Sequence, residues 1–338
     1  MSVRILHGDC LDVLKTLPDE SVHCCVSSPP YWRQRDYGMA GQLGLESTPE
    51  EFIDKLVAIF REVRRVLRSD GTCWVNLGDK WAQDSKWGGT TGGKAVTGLH
   101  GAQSNRARSF TGLKDKDLVG IPWMFAFAAR ADGWYLRQCN VWAKPNCMPE
   151  SVSDRSTVSH EYVFHLTKNN DYFYDNDAAR TPAAPSSETR LAQNVEAQNG
   201  SDRANAGGKT NGPMKAVQRT DKQRGHSRKH DGFNARWDAM DKQQQQHGAN
   251  LRSVWWVSTA QYKEGHYAVM PDRIAEICIA AGSPRGGVVL DPFGGAGTTG
   301  LVADRMQRDA ILIELNPEYA AMAERRIHSD APLFADVA

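Results

Sequence analysis

The stretch that decides the fold is Val288-Val289-Leu290-Asp291-Pro292-Phe293-Gly294-Gly295-Ala296-Gly297-Thr298-Thr299-Gly300. Its apolar opening is typical of a parallel strand that is covered on both faces. The spacing Gly295-x-Gly297-x-x-Gly300 lets the backbone approach a ligand closely before a helix begins. A second apolar strand ends in Glu314, twenty positions after Gly294, where a dinucleotide fingerprint places its ribose-binding carboxylate. These features predict a nucleotide-like cofactor.

Two other nucleotide-binding classes can be compared with this stretch. No Lys follows the glycines, so the P-loop pattern of an NTPase is absent. A nucleotide-dependent dehydrogenase stays an alternative. Its glycine turn normally opens the fold, however, whereas 38 residues follow Gly300 and the rest of the sheet must lie upstream.

The rest of the chain predicts a doubly wound α/β fold with a mainly parallel sheet. The chain starts partway through the usual order of strands in such a fold. In such sheets ligands bind at the carboxyl ends of the strands. Asp9, the segment from Ser28 to Tyr31, Asp291 and Glu314 all fall at predicted strand ends. The predicted strands are residues 3–6, 22–26, 72–77, 134–142, 160–166, 288–290 and 310–313, the fifth antiparallel to the fourth. The predicted helices are residues 11–17, 49 to the Asp70-Gly71 turn, 116–133, 271–282, one that follows the glycines, and 317–327.

Two segments interrupt this pattern. Residues 80–116 carry seven Lys or Arg against two acids, and residues 180–250 carry twelve against seven, so each has a net charge of +5. The whole chain of 338 residues has a net charge of only +1. We therefore expect one catalytic domain, residues 1–179 and 251–330, with a basic loop at 80–116 and an inserted module at 180–250.

Composition also indicates where in the cell the protein is expected and what state its cysteines are in. No run approaches the ~18 apolar residues of a membrane helix, and no apolar signal segment opens the chain, so we expect a cytoplasmic protein without a membrane partner. The seven cysteines lack paired metal spacing, and most sit in apolar runs. They are interpreted as buried thiols, and no metal site is expected.

At Ser28-Pro29-Pro30-Tyr31-Trp32, taken with the Asp291–Thr299 segment, the chain resembles the beta class of DNA amino-methyltransferases, in which the catalytic motif precedes the cofactor motif. The resemblance implies a circularly permuted Rossmann-like methyltransferase fold with S-adenosylmethionine as cofactor. It implies that Asp9 contacts the adenine and Glu314 the ribose. The other cofactor-binding residues that it implies are Asp291, Phe293, Gly295, Gly297, Thr298 and His266, the last in the segment that runs to Pro271.

The Ser28-to-Tyr31 segment suits attack by an exocyclic amino group, whose lone pair is delocalised into the base. In a rigid turn made by Pro29 and Pro30, the Ser28 hydroxyl and the Pro29 carbonyl can accept both amino hydrogens. Tyr31 can stack on a base that is swung out of the duplex. A cytosine-C5 mechanism needs an activated cysteine, usually signalled by Pro-Cys, and that dipeptide does not occur.

In the resembling family Ser before Pro-Pro-Tyr is usual for cytosine N4, and Asp or Asn for adenine N6. Ser28 therefore favours N4-methylcytosine in double-stranded DNA, with N6-adenine as the alternative. A DNA-binding module without catalysis is a further alternative.

Arg33, Arg35 and Lys144 are predicted to contact phosphates. Segment 180–250 resembles a target-recognition region in position only. A cognate restriction endonuclease is a partner that the resemblance allows, and the sequence leaves the recognition site and the oligomeric state open.

Overall fold

The computed structural model describes residues 2–82, 112–114, 116–181, 248–260, 269–330 and 336–337. The chain divides into two units, residues 1–175 with 253–338 and residues 176–252. In the second unit, Thr181 and Ala249 form a β-bridge and the Arg180 guanidinium donates to the Gly248 carbonyl. Most of the predicted basic loop and of the predicted insertion lies outside the described residues, so the roles assigned to both segments stay predictions.

Among the described residues, the named strands and helices all belong to the first unit. Its strands are β1 (Ser2–His7), β2 (Val22–Ser27), β3 (Leu67–Leu77), β4 (Tyr135–Ala143), β5 (His160–Thr167), β6 (Val254–Trp256), β7 (Val288–Asp291), β8 (Asp309–Glu314) and β9 (Asp336–Val337). Its helices are α1 (Cys10–Thr16), α2 (Pro49–Val66), α3 (Ile121–Ala131), α4 (Asp272–Gly282), α5 (Thr298–Arg305) and α6 (Pro317–Asp330).

These strands form one sheet in the order β6-β4-β5-β3-β2-β7-β8-β1-β9. Strand β5 runs antiparallel to both β3 and β4, and the other neighbours are parallel. Helix α2 contacts both α1 and α3, helix α5 contacts both α4 and α6, and both groups pack against the sheet. The predicted doubly wound, mainly parallel α/β fold is confirmed, with the glycine-turn strand β7 beside β2, the strand that precedes the Ser28-to-Tyr31 segment.

The β7-to-α5 turn shows why the glycine spacing matters. Gly297 caps α5 with φ of 79°, a left-handed conformation that favours glycine. A Cβ on Gly297 would also lie 2.8 Å from the Ala323 Cβ on α6. At Gly300 a Cβ would lie 2.8 Å from Leu312 Cδ1 on β8. The second and third glycines of the spacing therefore let α5 pack closely on α6 and on the sheet.

Helix α2 ends earlier than the sequence predicts. The Thr48 side chain accepts from Glu51 N, and the buried stripe that begins at Phe52 packs into the core, as expected. The helix ends at Val66, however, because the fully buried Leu67 already pairs with Val22 in the sheet. The prediction that the helix continues to Asp70-Gly71 was wrong, and those residues belong to an irregular start of β3.

The remaining boundaries differ little from the predictions. Helix α3 begins at Ile121 rather than at residue 116, because Asp79 accepts hydrogen bonds from the Gly120 and Ile121 backbone amides and fixes the start there. All seven cysteines are free; four are buried, and Cys10, Cys139 and Cys147 are only partly buried. In the described part of the chain, no helix is long and apolar enough to cross a membrane.

Candidate active site

The carboxyl ends of β1, β2, β7 and β8 meet around a cavity of about 520 Å³. That volume is in the range of cofactor and small-molecule sites. The cavity brings together most of the residues that the sequence predicts for the site, namely Asp9, Ser28, Pro29, Pro30, Tyr31, Arg35, Lys144, Asp291, Phe293, Gly295, Thr298 and Glu314. Gly297 and Arg33 do not line it, and His266 lies outside the described residues.

Glu314 occupies one end of the cavity, and its carboxylate is held by backbone amides. Gly295 N donates to Oε2 at 2.7 Å and Asn316 N donates to Oε1 at 2.8 Å. Burial raises the pKa of Glu314, and the hydrogen bonds from these two amides partly offset this increase. Each carboxylate oxygen keeps a further lone pair. The side chain therefore has acceptor positions left for two ribose hydroxyl groups, and the predicted ribose contact stays a prediction.

The Asp291 carboxylate accepts hydrogen bonds from three neighbouring residues of the protein. Ser27 Oγ donates to Oδ1 at 2.6 Å and Thr299 Oγ1 donates to Oδ2 at 2.7 Å. Phe293 N donates to Oδ1 at 3.0 Å, and burial raises the pKa of Asp291. This carboxylate ties the end of β2 to the glycine turn. It thereby fixes the Ser28-to-Tyr31 segment relative to the glycine turn, a role that the sequence analysis missed for Ser27 and Thr299.

Asp9 lies at the end of β1 and caps α1. Its Oδ1 accepts from Leu11 N at 2.9 Å and from Asp12 N at 3.2 Å. The preceding Gly8 N donates to the Glu314 carbonyl at 3.0 Å, so the two predicted cofactor carboxylates lie on neighbouring strand ends. The predicted contact of Asp9 with an adenine stays a prediction.

The Ser28-to-Tyr31 segment follows β2, and contacts with neighbouring residues fix its position. Gly78 has no room for a side chain, because a Cβ there would lie 2.7 Å from Tyr31 Cε2. The Trp32 indole is buried and donates to the Glu46 carbonyl at 3.0 Å. Burial and the neighbouring Glu161 raise the pKa of Tyr31. One edge of the tyrosine ring thus packs on the backbone of Gly78, and the residue lines the cavity.

Two site residues come from strands that the sequence analysis did not connect with the catalytic motif. Glu161 Oε2 accepts from the Tyr31 hydroxyl at 2.5 Å, and Asn76 Nδ2 donates to the same oxygen at 2.8 Å. Asn76 Nδ2 also donates to Tyr31 Oη at 2.8 Å. The amide orientation follows from these contacts, because a carboxylate can only be faced by the NH2 group. Among the described residues, Asn76 Oδ1 has no hydrogen-bond partner.

The three cations that were predicted to contact phosphates lie in different surroundings. Lys144 forms an ion pair with Glu161 inside the cavity, and only 18% of its side chain is exposed. Arg35 also lines the cavity and interacts with Tyr37. The Arg33 guanidinium lies over the Trp32 ring, 5.9 Å from its centroid. Contact with DNA phosphates stays a prediction for all three.

Comparison with known proteins agrees with this geometry. Residues 22–325 match the family model N6_N4_Mtase, described as DNA methylase. The Type II methyltransferase M.SmaI of Serratia marcescens is 38% identical over 331 residues, which cover 96% of this chain and 91% of that protein. The chain is thus similar to this relative over nearly its whole length.

Two solved structures share the fold. The cytosine-N4-specific PvuII DNA methyltransferase matches with a TM-score of 0.58 at 18% identity, over 96% of this chain and 86% of that chain. A DNA modification methylase of Thermus thermophilus, complexed with S-adenosyl-L-methionine, matches with a TM-score of 0.56 at 22% identity, over 99% of both chains. With the family model matching nearly the whole sequence, this chain belongs to the N6/N4 DNA methylase family.

Proposed function

We propose that this protein is a site-specific DNA methyltransferase that transfers a methyl group from S-adenosylmethionine directly to the N4 amino group of a cytosine. The observation that carries the proposal is the shared cavity. It joins the Ser28-to-Tyr31 segment at the end of β2 to the Glu314 end of β8, across the intervening strand β7. A nucleophile bound at one end therefore meets a donor bound at the other.

S-adenosylmethionine supplies an activated methyl group on its sulfonium. Glu314 would hold the ribose hydroxyls, since its carboxylate is fixed by Gly295 N and Asn316 N with lone pairs to spare. Phe293, Val269 and Leu315 line the same cavity and offer apolar surface to a base. Asp9 and the glycine turn complete this end. The Thermus thermophilus relative in fold was solved with the same cofactor, which supports the assignment.

The catalytic segment acts on the amino group by accepting its hydrogens. With Ser28 Oγ on one hydrogen and the Pro29 carbonyl on the other, the nitrogen lone pair is drawn out of conjugation with the ring and toward the methyl group. The N–C bond would form as the S–C bond breaks, the electrons of the S–C bond would stay on the sulfur as a neutral thioether, and the methylated nitrogen would release one proton to solvent. Pro29 and Pro30 hold the two acceptors in place before the base arrives, so that little reorganisation is needed.

Tyr31 supplies the surface for the base. The reacting amino group lies inside a duplex until its nucleotide is extruded, so the base must enter the cavity from outside the helix. An aromatic ring fixed along one edge by Gly78 and at its hydroxyl by Glu161 offers a preset stacking face. Such a face contributes only with the extruded base, and therefore acts on turnover rather than on cofactor affinity.

The choice of cytosine rests on Ser28. Serine at this position resembles the N4-cytosine members of the family, and Asp or Asn the N6-adenine members. The relative M.SmaI is a Type II methyltransferase, so we also propose that this protein modifies a specific duplex site in a restriction–modification system, with a cognate endonuclease.

The test is a methylation reaction with purified protein, unmethylated duplex DNA and S-adenosylmethionine that carries a labelled methyl group. Nucleosides from the product are separated and identified by mass spectrometry. We expect labelled N4-methylcytosine, and none in a reaction with Ser28→Ala. Labelled N6-methyladenine without N4-methylcytosine would overturn the cytosine assignment, and the absence of any labelled nucleoside would overturn the enzymatic function.

A further inference from the structure

Residues 33–44, which we call the bridging segment, follow the Ser28-to-Tyr31 segment and contain neither helix nor strand. Tyr37, Met39 and Gln42 are among the members that line the cavity. The Tyr37 ring packs edge-on against the ring of Tyr319 on α6, with 6.4 Å between the ring centroids and 87° between the ring planes. Tyr319 also lines the cavity, on the helix that follows Glu314. The bridging segment therefore forms a wall of the cavity from the Tyr31 end to the Glu314 end.

The Gln42 side chain holds the middle of the bridging segment. It lies beneath the surface, with Gln42 only 8% exposed. Its Oε1 accepts from Tyr37 N at 2.9 Å and from Met39 N at 3.2 Å. Its Nε2 donates to the Arg35 carbonyl at 3.3 Å. One buried amide thus binds three backbone groups between Arg35 and Met39, so the position of Tyr37 depends on Gln42.

A second set of contacts, which does not involve the Gln42 side chain, fixes the two ends of the bridging segment. Arg33 N donates to the Gly44 carbonyl at 2.6 Å, and Gly44 N donates to Glu46 Oε2 at 2.8 Å. Gly44 has a left-handed φ of 101°, and a Cβ there would lie 3.1 Å from the Tyr31 carbonyl oxygen. These contacts close the segment beside Tyr31. The Tyr37 part of the wall can therefore be loosened while the Tyr31 part stays in place.

We propose that Gln42 is a positioning residue for S-adenosylmethionine: it holds Tyr37 beside Tyr319, and the two rings form a wall of the cofactor site. The nucleoside part of the cofactor presents apolar faces to such rings, and the contact removes apolar area from water. The inference rests on the proposed function, which places the cofactor ribose on Glu314. It does not depend on the choice between cytosine and adenine.

The test uses Gln42→Ala in the full-length protein. The dissociation constant of S-adenosylmethionine, measured by calorimetry, should rise by about three- to tenfold, the effect typical of losing one aromatic contact. The single-turnover rate constant of methyl transfer at saturating S-adenosylmethionine should stay within about threefold of wild type, because the contacts of Gly44 still hold the Tyr31 end. A purely structural role would lower the affinity and the rate constant together.

Gln138→Ala provides the matched control. Gln138 is an exposed glutamine on β4 that does not line the cavity, and its side chain donates to the carbonyl of the adjacent Cys139 at 3.2 Å. This variant removes the same groups as Gln42→Ala. Both the dissociation constant of S-adenosylmethionine and the rate constant should equal those of wild type.

Tyr37→Leu tests whether Gln42 acts through the tyrosine ring. Gln42 binds the Tyr37 backbone amide, so this variant keeps that hydrogen bond and removes the ring. It should weaken S-adenosylmethionine binding by about three- to tenfold by itself. The double variant with Gln42→Ala should bind the cofactor within about twofold of Tyr37→Leu alone, because both changes remove the same contact.

Unchanged cofactor affinity in either single variant, or equal losses of affinity and of rate in Gln42→Ala, would overturn the inference. Additive losses of affinity in the double variant would also overturn it, since Gln42 would then act independently of Tyr37. If Gln42→Ala loses its thermal transition, Tyr37→Leu decides alone: weaker cofactor binding at an unchanged rate constant supports the inference, and wild-type affinity refutes it. Wild-type protein that binds S-adenosylmethionine and methylates no DNA would overturn the proposed function, while the cofactor affinities would still decide the role of Gln42.

Discussion

Gly78→Ala tests whether the position of the Tyr31 ring controls catalysis. A Cβ on Gly78 would lie 2.7 Å from Tyr31 Cε2 and 3.2 Å from Cδ2, whereas ordinary contacts begin at 3.4 Å. The ring must therefore retreat by at least 0.7 Å, the difference between 3.4 and 2.7 Å. The backbone of Gly78 is not in the left-handed region, so alanine fits the chain itself. The substitution thus acts through the tyrosine.

The expected cost follows from that displacement. A misplacement of about 1 Å can lower a rate by roughly 100-fold, so a shift of this size should lower the single-turnover rate constant by about 10- to 100-fold. The dissociation constant of S-adenosylmethionine should not change, because Gly78 lies outside the cavity lining. In a Tyr31→Ala background, where the contact is gone, Gly78→Ala should have little further effect. A wild-type rate constant in Gly78→Ala would refute the claim that the ring is a preset stacking face.

Three further predictions concern the cofactor, the catalytic segment and the core. Glu314→Ala should weaken S-adenosylmethionine binding by about 1 to 3 kcal/mol through lost charge-assisted hydrogen bonds, and unchanged affinity in calorimetry would contradict the ribose contact. Ser28→Ala should lose methyl-transfer rate far more than cofactor affinity, and equal losses would point to a structural role. Burial lowers the pKa of His165 from 6.5 to about 3. Between these two values His165 is protonated in the unfolded chain but not in the folded one. The free energy of unfolding should therefore fall as the pH is lowered from 6.5 to about 3. His165→Phe, which can keep the stack on Trp74, should flatten this pH dependence in denaturant titrations; an unchanged slope would exclude His165 as its source.

The parts of the site that could be predicted from the sequence are those that local spacing defines. Gly297 needs a left-handed conformation shortly after a strand, and Glu314 ends the next strand, so a stretch of 27 residues from Val288 to Glu314 holds most of the predicted cofactor residues. The Ser28 segment follows its strand in the same way. Local sequence predicted these positions because each depends on one strand end and the turn that follows it.

The residues that the sequence analysis missed depend on the order of strands in the sheet. Glu161 is 130 positions from Tyr31 in the chain, and the two meet because β5 pairs with β3, which pairs with β2, the strand that precedes Tyr31. Asn76 and Gly78 join the site through the end of β3. No local pattern signals such contacts. The ion pair of Lys144 with Glu161 inside the cavity depends on the same strand order, and the predicted phosphate contact of Lys144 stays a prediction.

In the proposed mechanism one cavity presents the amino group of an extruded base to a methyl donor held by Glu314. The most direct measurement is a crystal structure of the protein with its duplex and a cofactor analogue that cannot transfer a methyl group. We expect a cytosine outside the helix, stacked on Tyr31, with its amino nitrogen within hydrogen-bond distance of Ser28 Oγ and the Pro29 carbonyl, and the analogue ribose on Glu314. A target base that stays in the duplex, or an amino group that contacts neither acceptor, would contradict it.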